Sequence, residues 1–315
     1  MSNSSVLVML AAYNGAEYLC EQIDSILAQE GVQVHLLIRD DGSTDGTPAL
    51  IQASYGDDDR VEVVAGRENL GCAQSFMTMA FEASPDHDYY AFSDQDDYWK
   101  PDRLKRALEQ MGADSVERSV LYCCNREEVD AGRKFLYHNV PLECAERCKT
   151  LEYLLFVRNA APGNTMVFSR AFLDRLREAN PISFPSGFYH DFWVHLVGAT
   201  LAETTVIYDY DYSGVERRIT GTNLAGINRQ NRRSIKSLLN QLKKYDSGSL
   251  RVTVRQLMEK YDGSIDDERR ELLELFVGAR HPSARWRLLK ASSNVKFDSV
   301  KGRLFSLYKL LTGKI

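Results

Sequence analysis

The sequence predicts an α/β protein with a largely parallel sheet and helices on both faces. Short apolar runs end in polar turns, apolar residues recur at helical spacing between those runs, and the alternation repeats along the first ninety or so residues. "VLVML" (Val6 to Leu10) and "VHLLIRD" (Val34 to Asp40) read as buried strands. Between them Tyr18, Ile23, Ile26 and Leu27 mark one helix face, and Gly31 falls where its C-cap is expected. A helix after Thr47-Pro48, strand "VEVVA" (Val61 to Ala65), a helix from about Gly71 to Ala83 and strand "YYAFS" (Tyr89 to Ser93) continue the order. Ligands of such sheets bind beyond the carboxyl ends of the strands, which gathers "AAYNG", "RDDGSTDG" and "SDQDD" on one rim.

Composition narrows the class. The 315 residues, 44% hydrophobic and 26% charged, suit one large domain or one domain with an accessory region. A net charge of -5 argues against a general nucleic-acid binder. No apolar run reaches the roughly 18 residues of a membrane span, and "MSNSSVLVML" lacks the basic start of a signal peptide, so a cytoplasmic location is expected. Six cysteines make no dense disulfide framework, and Cys123, Cys124, Cys144 and Cys148 lack the spaced pairs of a zinc site.

The rim carries the chemistry. "DDGSTDGT" (Asp40 to Thr47) is good turn sequence, and Asp45 or Thr47 could cap the next helix. An aspartate here could also accept a hydrogen bond from a pyrimidine, with Tyr13 offering a ring for the base to stack on. In "SDQDDYW" three carboxylates stand within four positions and repel one another. A divalent cation bridging a diphosphate would neutralise them, and hard oxygen ligands suit Mg²⁺ or Mn²⁺. The alternative is a solvated loop with Asp97 and Asp102 near the positive end of a helix starting near Pro101.

"AAYNG", "RDDGSTDGT", "ENLGCAQSF" and "FSDQDDYW", in this order, resemble the nucleotide-sugar-binding half of family 2 glycosyltransferases of the GT-A fold. "SDQDDYW" is most similar to the bacterial branch that includes rhamnosyltransferases of surface polysaccharide assembly. The resemblance covers roughly Val6 to Gly226, implying a GT-A domain over 1–226, a Rossmann-like mixed sheet flanked by helices, and a helical, basic region over 227–315. It implies that Tyr13 and Asp41 hold the base, with Ala12 also at the nucleotide sugar, that Asn14 supports the loop, and that Asn69 and Gly71 lie beside the nucleotide. Asp94 and Asp96 would be the Asp-x-Asp pair that holds the metal, Asp96 most directly, and Gln95 would face the sugar or the ribose.

In the second half, "APGNTMVFSR" resembles the family's sugar and acceptor floor, with Asn164 in contact unless Gly163 and Asn164 are simple turn residues. In "FYHDFWVHL" a helix would bury Phe192, His195 and Leu196 and point Asp191 into the cleft. The resemblance makes Asp191 the catalytic base; His190 could orient that carboxylate or touch the acceptor, and Trp193 is expected at the acceptor or sugar, while the plainer reading makes Asp191 a helix cap. "ERRITGTN" keeps Arg218, Gly221 and Asn223 of the family's Arg-Gln-His-Gly-x-Asn run, with Ile219 and Thr220 in place of Gln and His. Arg218 would reach the diphosphate.

From about Asn228 the chain turns to charged helical segments, suited to packing on the domain or on a second copy in a homo-oligomer. After His281, Arg285, Arg287, Lys290, Lys296, Lys301, Arg303, Lys309 and Lys314 face Asp298 alone, interleaved with Trp286, Phe297, Phe305 and leucines. Such a tail either lies on an anionic membrane surface or packs on its own domain. The expected activity is transfer of a sugar, L-rhamnose from dTDP-rhamnose foremost, from a nucleoside diphosphate donor to a glycan or lipid-linked glycan. UDP-glucose, UDP-galactose and their N-acetyl forms are alternative donors, and a non-catalytic nucleotide-sugar-binding or scaffolding subunit is the alternative class. A nucleotidyltransferase would carry a glycine- and lysine-rich triphosphate loop near the first strand, and this sequence has none there.

Overall fold

Alternation of apolar side chains along the first strand sets up two cores, one on each face of the sheet. In β1 (Ser5–Ala12), Val6, Val8 and Leu10 join Leu19, Ile23 and Ile26 of α1 (Leu19–Leu27), while Leu7 and Met9 join Phe76 and Met77 of α3 (Cys72–Glu82). The computed structural model describes residues 4–66, 68–182, 184, 189–219, 248–278 and 286–288. β2 (Gln33–Asp40), β3 (Val61–Ala65) and β4 (Tyr89–Ser93) complete a parallel half ordered β3-β2-β1-β4, with α2 (Thr47–Tyr55) between β2 and β3. One expected boundary differs. α1 ends at Leu27 with Ala28 as its cap, and Gly31, at φ 73, makes a later left-handed turn toward β2.

Beyond β4 the sheet becomes mixed, a change that period-2 patterning does not announce. β5 (Asp97–Trp99), α4 (Arg103–Met111), β6 (Val120–Val129), β7 (Phe135–His138), α5 (Leu151–Phe156), β8 (Met166–Ser169), α6 (Arg170–Arg177), α7 (His190–Thr200) and β9 (Thr205–Arg218) follow in the chain. The full order is β3-β2-β1-β4-β8-β6-β9-β5, with β7 on β6. β5 starts four residues after β4 ends yet pairs with β9 at the far end of the path, so the sheet curls. The Trp99 amide then donates to Ser25 Oγ of α1 (3.1 Å), and Arg103 lies over the Trp99 ring (3.5 Å to its centroid). Asp97 is therefore a buried strand residue, and Asp102 accepts from the Tyr212 hydroxyl (2.5 Å) without capping α4.

Two further helices, α8 (Gly248–Lys260) and α9 (Asp267–Val277), pack into the core beneath α7. Asp266 caps α9 by accepting from the Arg269 amide (2.9 Å). Val254, Leu257, Tyr261, Leu273 and Phe276 share one apolar cluster with Trp193, Val194 and Leu196. The expected boundary at 226/227 and the tail from residue 289 lie outside the described residues. Among the described residues no helix is long and apolar enough to cross a membrane. None of the six cysteines is in a disulfide.

Trp193 corrects an expectation. Its ring is fully buried against Phe184 and Tyr261, facing the core and not an acceptor, because it follows Asp191 by two helix positions and so points away from it. Trp193→Ala should therefore cost about 3–5 kcal/mol of stability. Denaturant unfolding checks this; an unchanged midpoint would contradict the packing.

Candidate active site

The loops at the strand ends are tied together by side chain to backbone bonds. Asn14, at φ 50, donates its amide to Ser43 Oγ (2.9 Å) and accepts from the Thr44 amide through Oδ1 (2.8 Å). Asp45 accepts from the Ala16 and Thr47 amides (both 3.1 Å), and Thr47 Oγ1 accepts from Gly15 (3.0 Å). Gln95 spends its amide on the backbone of Tyr13. Its Oε1 accepts from the Tyr13 amide (2.7 Å) and its Nε2 donates to the Tyr13 carbonyl (3.0 Å), filling the space that a Cβ on Gly15 would need. Tyr13 is left 49% exposed. Ala12 is buried in the sheet, and its carbonyl accepts from the Asp41 amide (2.8 Å).

Asp41 is also directed inward. Its two oxygens accept from the Leu70 and Gly71 amides (3.0 and 2.8 Å), fastening the loop that enters α3, while Asn69 Oδ1 accepts from the same Gly71 amide (3.0 Å). Gly71, at φ 77, takes a left-handed conformation that suits glycine.

Asp94, Asp96 and Asp191 come together at this rim, with Asp97 buried beneath. Burial, then the neighbouring Asp94, pushes the Asp96 carboxyl up to about 6. Burial raises Asp94 against the opposing pull of Arg217 and Arg126. Asp191, in the first turn of α7, is pushed up to about 6 mainly by burial, with the Phe192 amide pulling down and Asp94 pushing up. Asp97 is raised well above its ordinary value, by burial and then by Asp94 and Asp96; its Oδ2 accepts from Asn164 Nδ2, and its Oδ1 has no partner among the described residues.

The counter-charge was not foreseen in the sequence. Glu128 on β6 accepts from Arg126 Nε and from Arg217 Nη1 (both 3.0 Å), and Arg126 Nη1 donates to Asn164 Oδ1 (3.1 Å). Glu128 and Asp97 both face Arg217 across their strand pairs. Arg126 and Glu128 stand two apart in "NREEV", and that spacing on one strand face was the available signal. Arg218 is engaged elsewhere, paired with Glu21, lying over Tyr18 (4.8 Å to the centroid) and donating to the Asp96 carbonyl (3.3 Å).

Two expected acceptor contacts have other partners. Asn164 is buried between Asp97 and Arg126. His190 stacks on Phe76 (4.1 Å between centroids), and burial lowers its ring to about 3, so it stays neutral. Gly163 has no side chain because a Cβ there would collide with His190 Nε2. Among the described residues no three His, Cys, Asp or Glu side chains form a ready-made metal site. The hard oxygens of Asp94 and Asp96, raised by burial, are still the donor type for Mg²⁺ or Mn²⁺, which also takes substrate oxygens and water.

The chain matches Glycosyl transferase family 2 over residues 7–173, and it belongs to that family. It is 37% identical over 115 residues to the succinoglycan biosynthesis protein ExoO of Rhizobium meliloti (strain 1021), covering 36% of this chain and 32% of ExoO. It is 33% identical over 105 residues to the dTDP-rhamnosyl transferase RfbG of Shigella flexneri, covering 32% of this chain and 36% of RfbG. The matches thus span less than half the length of these curated relatives. The structure of S. aureus TarS 1-349 in complex with UDP-GlcNAc aligns over 99% of this chain and 82% of that one, with a TM-score of 0.59 and 16% identity. That likeness is one of fold, and the curled mixed sheet flanked by helices is of the GT-A type.

The acid cluster has a stability signature. Asp97 is raised in the fold, so it binds a proton that the unfolded chain has released above its ordinary carboxylate value. Its contribution to stability is thus present at low pH and lost as pH rises through the raised value. Asp97→Asn should be more stable than the parent by ~1 kcal/mol or more at pH 7.5, and the advantage should shrink toward pH 4. Thermal melts of both proteins across that range cancel the opposing effect of the buried histidines. A difference independent of pH would contradict the assignment.

Proposed function

We propose that this chain is an inverting, metal-dependent glycosyltransferase that moves a sugar from a nucleoside diphosphate to a glycan or lipid-linked glycan acceptor in bacterial polysaccharide assembly. The observation that carries the reading is Asp191 at the start of α7, within the field of Asp94 in a family 2 chain, so that a base and a diphosphate-side acid pair share one rim. The Asp191 carboxylate takes the proton of an acceptor hydroxyl as its oxygen bonds to the anomeric carbon. The bond from that carbon to the diphosphate breaks on the opposite face, which inverts the configuration. Asp96 and Asp94 would hold Mg²⁺ or Mn²⁺, which neutralises charge developing on the departing diphosphate. The exposed Tyr13 ring offers a stacking face for the base.

The similarity to RfbG favours dTDP-L-rhamnose as donor, and the similarity to ExoO supports a role in polysaccharide assembly. A donor panel read by acceptor-dependent release of nucleoside diphosphate tests this. No acceptor-dependent release with any donor would leave the binding-subunit reading in place.

Two substitutions probe the site. Asp191→Asn should keep donor affinity and lose about 10²-fold or more in turnover. Because carboxyls held near 6 at Asp191 and Asp96 are both protonated below that pH, wild-type kcat/KM should fall below about pH 6, and in the variant the limb should shrink to the part due to Asp96, which excess Mn²⁺ relieves. Asp96→Ala should abolish the Mn²⁺ dependence of donor binding measured by calorimetry; a variant with wild-type metal dependence would exclude Asp96 as a ligand.

A further inference from the structure

Arg217 is 7% exposed at the end of β9, yet most of its hydrogen-bonding capacity is unused. Its Nη1 donates to Glu128, while Nε and Nη2 make no hydrogen bond among the described residues and are not among the atoms sealed from solvent. An enclosed guanidinium normally spends its donors, and its planar fork suits two oxygens of one phosphate. The nearby carboxylates do not take them. Asp97 is bonded by Asn164, and Asp94 and Asp96 sense the Arg217 charge without accepting from it.

The side chain is also held in place. Glu128 grips Arg217 and Arg126 together, and Arg126 is braced on Asn164. Such support lowers the ordering cost of using the remaining donors on a ligand. Arg218, which the family resemblance points to, is 1% exposed and committed to Glu21, Tyr18 and the Asp96 carbonyl. Ile219 and Thr220 supply no cation after it. A diphosphate arriving beside Asp94 and Asp96 needs positive charge from the protein, and Arg217 carries it with two donors open.

We propose that Arg217, gripped by Glu128, is the side chain that hydrogen-bonds the diphosphate of the donor, in place of the histidine that the family run carries where this chain has Thr220. This rests on the nucleotide-sugar reading above. Glu128 and Arg126 act as positioning residues, since they work through Arg217.

The test is calorimetric binding of UDP, dTDP and GDP to the full chain with Mn²⁺, taking forward whichever binds most tightly together with its nucleoside. Arg217→Gln should weaken the nucleoside diphosphate about 10-fold to 100-fold, the loss of hydrogen bonds to a charged group, and leave the nucleoside unchanged. Arg217→Lys should recover only part of the loss. The double variant Arg217→Gln with Asp97→Asn removes both members of the cross-strand charge pair and should bind the diphosphate as poorly as Arg217→Gln. It also decides the matter if the single variant fails to fold. Wild-type affinity in the double variant would make Arg217 only a counter-charge to Asp97 and overturn the proposal, as would binding within about 2-fold of wild type in Arg217→Gln. A wild-type chain that binds none of the three nucleotides overturns the functional reading and this inference with it, and that failure shows before any substitution is made.

Discussion

Carboxylates crowded into a half-buried turn are the constraint on which the rest of this structure depends. Asp94, Asp96 and Asp97 follow the last parallel strand, and Asp191 comes to them from α7. Each loses hydration and gains repulsion, so each is driven toward its neutral form unless positive charge is brought near. The protein brings two arginines and then needs Glu128 to bind both, giving a connected network of charges. Removing Glu128 would take the shared carboxylate from both buried arginines, and such a loss costs more than the pairing contributes as a whole.

The topology follows from that need. Curling the sheet sets β5 against β9, and the shared register of β5, β9 and β6 puts Asp97, Arg217 and Glu128 side by side. The first half of the sheet contributes rigidity. Asn14, Asp41, Asp45 and Gln95 spend their side chains on backbone groups of neighbouring loops, so the strand ends are set before any ligand arrives. Residues that the family resemblance would place on the ligand thus form the frame around it, and the exposed Tyr13 ring is the part of that frame left open.

Arg217 and Arg218 show how two adjacent arginines acquire different tasks. Successive strand residues face opposite ways, so one meets the acid cluster and the other meets Glu21 and Tyr18. Asn164 and His190 are similar cases. Each belongs to a segment that reaches the site, but each turns its side chain to a buried partner: Asn164 to Asp97, His190 to the face of Phe76.

The sequence by itself determined the parallel half of the sheet, its intervening helices and the rim where three polar turns meet, because apolar period and turn chemistry are local properties. It also determined that Asp94, Asp96 and Asp97 crowd one another, since they are neighbours in the chain. Helical spacing and the family resemblance pointed Asp191 into the cleft, while tertiary structure alone decided that Asp97 lies in a strand, that Trp193 faces the core, and that Arg126, Glu128 and Arg217 supply the counter-charge. Those outcomes depend on strand register and on pairings as distant as Asp97 with Arg217. Side-chain type along the chain does not encode which of two adjacent residues will face a partner more than a hundred positions away; the curl of the sheet does.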